Sequence, residues 1–294
     1  MTAFRSGIVA VVGRPNVGKS TLVNALVGRK VAIVSDKPQT TRTHIRGILT
    51  TDRAQVVFTD TPGFHKPRTA LGSRLNALVR HAVEGVDAVV LVVDAAGGVG
   101  RGDRFVYDRQ LADASGLRVC AVNKVDAIGH HALVPQLAAA GELGTFDEIV
   151  PVSAERGDGV GTLLELLVAR LPEGPPLYPP GEETDQPLEA RLAELVREQA
   201  LAVTREEVPH SIAVVVEELE REDDLTRVTA TLVVERDSQK GIVIGKGGAT
   251  LKAIGTAARG EMERLVGTRV FLDLRVKVVK EWQRDPKAMD RLGL

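Results

Sequence analysis

The sequence predicts a two-domain chain: an α/β domain with helices on both faces of a mostly parallel sheet, followed by a smaller α+β domain. At 294 residues the chain exceeds the usual size of a single domain. Five of its 14 prolines lie between residues 171 and 181, and proline fixes φ and lacks the N–H that a helix or central strand needs. We therefore expect domains at 1–171 and 187–294, with 172–186 as a stiff linker.

The first domain alternates short apolar strands with helical stretches. This order is typical of a parallel sheet, because two parallel strands need a long crossover connection between them. The predicted strands are residues 8–12, 56–59, 88–93, 117–122 and 148–152.

The second domain follows a different order. Strands are predicted at 211–217 and 227–235, and two helical stretches then lead to a last strand at 270–279. A helix precedes them, indicated by apolar residues at helical spacing: Leu188, Leu192, Leu195, Val196 and Val203. The predicted order is therefore α-β-β-α-α-β.

Composition and charge limit the possible functions. The net charge of −1 argues against binding polyanions over the whole surface, so any nucleic-acid contact must be local. One cysteine, Cys120, excludes a disulfide framework and fits a reducing compartment. The apolar run 7–12 leads directly into a glycine loop, and no apolar run approaches the roughly 20 residues that span a bilayer. We expect a cytoplasmic protein.

The glycine loop after the first strand has the form G-x-x-x-x-G-K-[ST]. Its backbone N–H groups and the following helix N-terminus suit a β-phosphate, the Lys19 ammonium suits the β- and γ-phosphates, and the Ser20 hydroxyl suits Mg²⁺. The residues predicted to bind nucleotide here are Gly13, Asn16, Val17, Gly18, Lys19, Ser20 and Thr21.

A second motif, Asp60-Thr61-Pro62-Gly63, follows the strand 56–59. A carboxylate at this strand end can hold Mg²⁺ through water, and the Gly63 N–H can sense the γ-phosphate. The order of the two motifs favours this role over an isolated turn.

A third motif, Asn123-Lys124-Val125-Asp126, follows the strand 117–122 and selects the base. The Asp126 carboxylate can accept from guanine N1–H and N2–H₂, a donor pair that adenine lacks. We expect Lys124 to lie along the base and Asn123 to hold the phosphate loop. Ser153 and Ala154, after the next strand, are predicted to present a backbone N–H to guanine O6.

Together these segments resemble the G1, G3, G4 and G5 motifs of the translation-factor-related GTPases, in order and at that family's spacing. The resemblance implies GTP and GDP as ligands, Mg²⁺ as cofactor and GTP hydrolysis as the reaction. Residues 39–43 resemble the G2 switch of Era-like GTPases, which implies Thr41 as the switch threonine, with Thr40 as the alternative. The predicted catalytic residues are Lys19, Thr41, Asp60 and Gly63, and the predicted metal ligands are Ser20, Thr41 and Asp60.

Phe64 stands where Ras-like enzymes have the glutamine that positions water. Since Era-like GTPases also have a hydrophobic residue there, the resemblance implies slow intrinsic hydrolysis that needs backbone groups, a partner or a cation. Asn16 resembles the asparagine that holds K⁺ in related GTPases, and a turn residue after proline is an equal alternative.

A second glycine loop, Gly245-Lys246-Gly247-Gly248, lies between two helical stretches of the second domain. That context is typical of the type II KH fold, in which a GxxG loop clamps about four nucleotides. Residues 227–294 hold 14 Lys and Arg against eight Asp and Glu, so the loop lies in the basic part of the domain. The predicted RNA-binding residues are Lys240, Gly245, Lys246, Gly247, Gly248 and Lys252.

The resemblance to Era-like GTPases covers essentially the whole chain, including residues 204–211 and 272–277. It implies binding to the 3′ end of 16S rRNA during 30S subunit assembly and peripheral association with the inner face of the membrane. We expect a monomer that does not bind DNA. Two alternatives stay open: an RNA-binding scaffold with little GTP turnover, and a membrane or protein-interaction switch in which residues 245–248 form only a turn.

Overall fold

The computed structural model describes residues 3–37, 39–64 and 69–294. The chain forms two compact units, the first built mainly from residues up to Asp185 and the second from Gln186 to Leu294.

The first unit is built on a six-stranded sheet with the order β2-β3-β1-β4-β5-β6. All neighbouring strands run parallel except β2 and β3, which form an antiparallel pair at one edge. The strands are β1 (Arg5–Val12), β2 (Ile45–Thr50), β3 (Ala54–Asp60), β4 (Ala88–Asp94), β5 (Leu117–Asn123) and β6 (Glu148–Pro151). The predicted α/β class is confirmed.

Helices cover both faces of this sheet. The bounds are α1 (Lys19–Val27), α2 (Ala70–Ala82), α3 (Arg101–Gln110), α4 (His130–Gly141) and α5 (Val160–Arg170). Alternate residues of each strand point to opposite faces, so Val9 and Val11 pack with α1 and α5, while Ala10 and Val12 belong to a core that includes α3 residues.

The strand β2 was not predicted from the sequence. Gly47 interrupts its short apolar pattern, and its register with β3 depends on a turn at residues 51–53. An antiparallel edge strand can form here because a short connection suffices, unlike a parallel crossover.

The predicted linker packs against the first unit over most of its length. The Ser6 N–H donates to the Pro172 carbonyl, and the Ile48 N–H donates to the Glu183 carbonyl. Gln55, fully buried in β3, accepts from the N–H groups of Leu177 and Tyr178 and donates to the Tyr178 carbonyl. The proline-rich segment is therefore fixed to the sheet edge instead of acting as a free spacer.

The second unit contains a three-stranded sheet with the order β7-β8-β9, in which β7 is antiparallel and β9 parallel to β8. Its elements are α6 (Leu188–Val203), α7 (Val208–Ser211), β7 (Ala213–Arg221), β8 (Leu225–Val234), α8 (Asp237–Ile244), α9 (Ala249–Val266), β9 (Arg269–Val278) and α10 (Pro286–Arg291). The predicted α-β-β-α-α-β order is present, with two short helices added.

The core of the second unit lies between this sheet and the helices α6 and α9. Leu192 and Val196 of α6 and Ile254 and Ala258 of α9 pack in one cluster with β8 residues. Trp282 is fully buried, and its indole N–H donates to the Ser211 carbonyl at 3.0 Å. This tryptophan therefore holds the C-terminal segment in place and does not present a surface for stacking bases.

Within the described ranges, none of the helices has the length and apolar character required to cross a membrane.

Candidate functional site

The predicted nucleotide-binding motifs converge at one edge of the first unit's sheet. The glycine loop follows β1, Asp60 ends β3, Asn123 ends β5, and Ser153 follows β6. Because these four strands are parallel, their carboxyl ends share one edge, which is where α/β sheets bind ligands.

The phosphate loop adopts a backbone that its glycine makes possible. Gly18 has φ 95°, and a Cβ atom there would lie 2.3 Å from Asn123 Nδ2. The Asn123 amide donates to the Val17 carbonyl at 2.9 Å, so the third motif holds the loop directly, as predicted for this side chain.

Lys19 is buried at the start of α1, and its ammonium donates to the Arg14 carbonyl at 2.9 Å. Burial lowers the pKa of Lys19 to about 8, although the charge of Asp60 opposes the shift. A charge with so little solvent around it would interact strongly with a phosphate that replaced the carbonyl as its partner.

Three predicted metal ligands form one hydrogen-bonded cluster. The Ser20 hydroxyl donates to Asp60 Oδ2 at 2.7 Å, and the Thr41 hydroxyl donates to the same oxygen at 3.1 Å. The two hydroxyl oxygens are 3.0 Å apart. The structure thus brings Thr41 from the 39–43 segment to the phosphate-loop serine.

This cluster fits Mg²⁺. Hydroxyl and carboxylate oxygens are the ligands that this hard cation takes, directly or through water. Asp60 Oδ1 is buried and has no hydrogen-bond partner within the described part of the chain. Burial raises the pKa of Asp60, against the opposing hydrogen bond from Ser20 and the charge of Lys19. A cation here would stabilise the ionised carboxylate and satisfy the unpaired oxygen.

The second motif packs directly on the phosphate loop. A Cβ atom on residue 63 would lie 2.7 Å from Pro15 Cα, so only glycine allows this approach. The next N–H, that of Phe64, donates to the Gly13 carbonyl at 3.2 Å. Phe64 itself is buried against the core, which keeps its ring inside the protein.

The base-recognition motif is held in place by Lys124 and Asp94. The Lys124 ammonium donates to the Asn16 carbonyl at 2.8 Å and to Asp94 Oδ2 at 2.6 Å. Burial opposes ionisation of Asp94, but hydrogen bonds from Lys124 and from the N–H groups of Gly97 and Ala96 outweigh it and lower the pKa.

Asp126, the last residue of this motif, has a largely buried side chain that lies 3.9 Å from the Arg156 guanidinium. The predicted contact of Ser153 and Ala154 with guanine O6 is opposed by the hydrogen bonds that their N–H groups already donate within the protein. The Ser153 N–H donates to the Asp158 carbonyl at 2.8 Å, and the Ala154 N–H donates to Asn123 Oδ1 at 3.0 Å. Neither N–H is open to guanine O6 unless one of these bonds is shared or broken.

In the second unit, the loop 245–248 joins α8 to α9. Gly245 has φ 71°, and a Cβ atom there would lie 2.2 Å from Thr250 Oγ1. The Gly248 N–H donates to the Gly245 carbonyl at 3.1 Å, which closes the turn and leaves Lys246 and Gly247 exposed at its tip. Lys252 is also exposed, and Lys240 is half-buried.

Sequence reasoning missed several residues that support these sites. Asp94 binds Lys124, Gln55 binds the proline-rich segment, and Ile242, 54% exposed, adds an apolar side chain near the 245–248 loop. Only Asp94 carried a signal, since it directly follows the predicted apolar strand 88–93. Within the described ranges, histidine, cysteine and carboxylate side chains form no group of three suited to a metal.

A phosphate loop, a carboxylate at a strand end and the Asn123–Asp126 motif on a parallel sheet are typical of GTPases, and the α8-loop-α9 unit is typical of a KH domain, which follows later in the chain. Family models agree: one described as "50S ribosome-binding GTPase" matches residues 8–124, and one for the KH domain matches residues 207–283. The chain belongs to the GTPase Era family, as full-length relatives show, and the predicted resemblance is confirmed.

Two of these relatives are the GTPase Era proteins of Mycobacterium tuberculosis H37Rv and Mycobacterium bovis BCG Pasteur. Each is 56% identical over 299 aligned residues that cover 100% of both chains. Two solved structures are similar over 99% of each chain with a TM-score of 0.95 and 38% identity. One is Era with MgGDPNP and nucleotides 1506–1542 of 16S ribosomal RNA, and the other is an Aquifex aeolicus Era variant with GDP and AlF4⁻. The protein is a GTPase that hydrolyses GTP to GDP with Mg²⁺ as cofactor.

Proposed function

We propose that this GTPase binds the 3′ end of 16S rRNA through its KH loop during 30S subunit assembly. We also propose that the bound nucleotide determines the affinity for this RNA. In this proposal residues 1–171 hydrolyse GTP, 172–186 connect the domains and 187–294 bind RNA. The cluster of Ser20, Thr41 and Asp60 carries the proposal, because it ties the switch segment to the metal and phosphate site.

In the GTP-bound state, Lys19 leaves the Arg14 carbonyl for the β- and γ-phosphate oxygens, where its charge stabilises the negative charge of the transition state. Ser20, Thr41 and Asp60 would hold the Mg²⁺, which would supply positive charge against the phosphates when bound. Gly63 packs against Pro15 of the phosphate loop, and its N–H would donate to the γ-phosphate. Loss of that phosphate removes the partner of Gly63 and loosens Thr41.

Guanine selection is assigned to Asp126, with Asn123 and Lys124 holding the surrounding loops. Ser153 and Ala154 contribute only if the Ala154 N–H is shared between Asn123 and the base. The Asp126→Asn variant tests this role, because an amide offers a donor where guanine also has one. We expect the preference to shift from guanine toward xanthine nucleotides, and unchanged GDP and XDP affinities would contradict the assignment.

RNA binding is assigned to the exposed tip of the 245–248 loop. Its glycines allow close approach of a phosphate backbone, and Lys246, Lys240 and Lys252 supply positive charge. The solved Era complex with 16S nucleotides 1506–1542, at 38% identity, supports the choice of RNA. Binding of a 3′-terminal 16S fragment tests it, with a scrambled RNA of the same length as control.

Coupling between the two activities is supported by how the proline-rich segment is held. The strand β2 begins four residues after Thr41, and its Arg46 guanidinium donates to the Tyr178 hydroxyl at 2.9 Å and to Asp185 at 3.3 Å. The segment that enters the KH domain is thus bonded to the strand that follows the switch. A displacement of the switch would reach the linker through these contacts.

Single-turnover GTP hydrolysis with and without RNA and K⁺ separates this proposal from a scaffold with little turnover. We expect RNA or K⁺ to accelerate cleavage, since Phe64 cannot position water, and Asn16 is the proposed K⁺ ligand. The absence of cleavage under every condition would support the scaffold instead.

We also propose that the protein is a cytoplasmic monomer that does not bind DNA and that associates peripherally with the inner face of the membrane. Sedimentation of the purified protein with and without anionic vesicles tests both the oligomeric state and the membrane association. Co-sedimentation of less than a few per cent would contradict the membrane part.

A further inference from the structure

The helix α3 contacts two parts of the GTP site although it carries none of the GTPase motifs. One contact is polar and reaches the phosphate loop, and the other is aromatic and reaches Phe64, the residue after Gly63. Asp103 makes the first contact and Phe105 makes the second.

The polar contact fixes α3 against the phosphate loop. The Arg14 guanidinium donates to Asp103 Oδ1 at 2.7 Å and to the Gly98 carbonyl at 3.2 Å. Asp103 is fully buried, and its second oxygen accepts from the Gly100 N–H at 3.0 Å. Loss of Arg14 would leave the buried Asp103 carboxylate without its charged partner, which is costly, so this ion pair fastens the start of α3 to the phosphate loop.

The aromatic contact lies two residues further along α3. The Phe105 ring stacks on Phe64 with centroids 5.6 Å apart and an angle of 26° between the planes, and the Arg109 guanidinium lies 5.8 Å from the Phe105 centroid. Phe64 is 7% exposed, whereas Phe105 is 41% exposed. Phe105 therefore covers Phe64 from the solvent side, and Arg109 lies against Phe105.

We propose that Phe105 is a positioning residue for GTP hydrolysis: its stack on Phe64 keeps that ring out of the phosphate site and holds the Phe64 N–H on the Gly13 carbonyl. Because Phe64 is bonded to Gly63, the stack also sets the orientation of the Gly63 N–H. This inference rests on the γ-phosphate role proposed for Gly63 above.

The consequence is specific to the chemical step. Without the stack, residues 63 and 64 would sample several conformations, and only a fraction would have the Gly63 N–H directed at the γ-phosphate. An aromatic pair contributes enough that its loss should slow hydrolysis about five- to tenfold. Ground-state GTP binding depends mainly on the phosphate loop and the base motif, so the affinity for GTP should change less than twofold.

Four variants of the full chain test the proposal. Phe105→Ala removes the ring, Phe105→Tyr keeps it, and Phe64→Ala removes the stacking partner. Phe271→Ala, an exposed phenylalanine of the KH domain, is the matched control for the same substitution elsewhere. Single-turnover hydrolysis, GTP affinity and amide hydrogen exchange at Phe64 are measured for each.

The proposal predicts slower hydrolysis and faster Phe64 amide exchange for Phe105→Ala, near wild-type values for Phe105→Tyr, and no change for Phe271→Ala. Adding Phe105→Ala to Phe64→Ala should then have no further effect, since the stack is already lost. Unchanged exchange at Phe64, or an equal further slowing in the Phe64→Ala background, would overturn it. The exchange measurement stands even if turnover itself proved negligible, so it separates this inference from the proposed function. Should Phe105→Ala fold poorly, Phe105→Leu takes its place.

Discussion

The two glycine-rich loops of this protein are both suited to bind phosphate, but one is partly buried and supported by neighbouring residues, whereas the other is exposed to solvent. The nucleotide loop is held from several sides by other parts of the protein: Asn123 binds the Val17 carbonyl, Lys124 binds the Asn16 carbonyl and Asp103 binds Arg14. The KH loop is closed by its own Gly248–Gly245 hydrogen bond and extends Lys246 into solvent. A preorganised, partly buried loop suits tight binding of a small ligand and catalysis, whereas an exposed loop suits a long backbone bound by many weak contacts.

The largest effect should come from the buried loop. Lys19→Ala removes the ammonium that the phosphates need, and we expect hydrolysis to fall by about 10²–10³-fold, as when a single charge-stabilising donor is lost. Single-turnover assays at saturating GTP measure this. The RNA affinity of this variant without nucleotide should match that of the wild type. A parallel loss of RNA binding would contradict the assignment of separate ligands to the two loops.

The exposed loop should respond to charge and not to packing. The double variant Lys246→Asp and Gly247→Asp places two acids where phosphates approach, and we expect RNA affinity to fall about 100-fold with a weaker salt dependence. Fluorescence anisotropy at several salt concentrations is the measurement. Lys287→Asp, on α10 of the same unit, is the control for the charge reversal at Lys246, because it makes the same Lys-to-Asp change away from the loop.

If Lys246→Asp with Gly247→Asp left RNA affinity unaltered while Lys19→Ala behaved as expected, residues 245–248 would be only a turn. The alternative of a membrane or protein-interaction switch would then be favoured.

The proline-rich segment joins the domain of the nucleotide loop to the domain of the KH loop along the chain, so its contacts can be tested for both stability and coupling. Gln55→Ala leaves the N–H groups of Leu177 and Tyr178 without their acceptor, and we expect the loss of these two hydrogen bonds to lower the free energy of unfolding by about 2 kcal/mol. Chemical denaturation measures it. Gln136→Ala, which loses one acceptor contact to the Val99 N–H, should cost less.

The same Gln55→Ala protein should also show a smaller difference between its RNA affinities with GTP and with GDP. An unchanged difference would mean that the signal does not pass through the linker.

The smallest effect is one of pH. The pKa of Lys19 is lowered to about 8, and phosphate favours the charged amine. Below pH 8 Lys19 is already protonated, so affinity is flat; above pH 8 binding must take up a proton, and GTP affinity should fall at most about tenfold per pH unit. Calorimetry in two buffers of different ionisation enthalpy at pH 8.5 would detect the proton uptake. No uptake would contradict the assigned role of Lys19.

The sequence predicted more of the nucleotide site than of its surroundings. The motifs have fixed spacing, because the phosphates, the metal and the base impose one geometry, and so Lys19, Ser20, Asp60 and Asn123 were found directly. The strand β2 was missed because Gly47 breaks its pattern and its pairing is set by a turn. Phe105, Asp103 and Gln55 were missed for another reason: their partners Phe64, Arg14 and Tyr178 lie far away in the sequence, up to 123 residues for Gln55, and no local pattern marks them.

The KH loop shows the reverse. Its tetrapeptide alone is common in turns, and its assignment depended on the order of helices and strands around it. The hydrogen bonds that the Ser153 and Ala154 N–H groups donate could not be foreseen either, because their acceptors, the Asp158 carbonyl and Asn123 Oδ1, are placed by how two loops meet.

If the nucleotide state controls RNA binding, the affinity for RNA must differ between the GTP-bound and GDP-bound protein. Anisotropy titrations of a 3′-terminal 16S fragment, with the protein saturated by Mg²⁺ and either a non-hydrolysable GTP analogue or GDP, give this ratio. We expect RNA to bind at least about fivefold more tightly in the GTP-like state than in the GDP state. By thermodynamic linkage, RNA should then raise the affinity for the GTP analogue relative to that for GDP by the same factor. Equal RNA affinities in the two states would contradict the account.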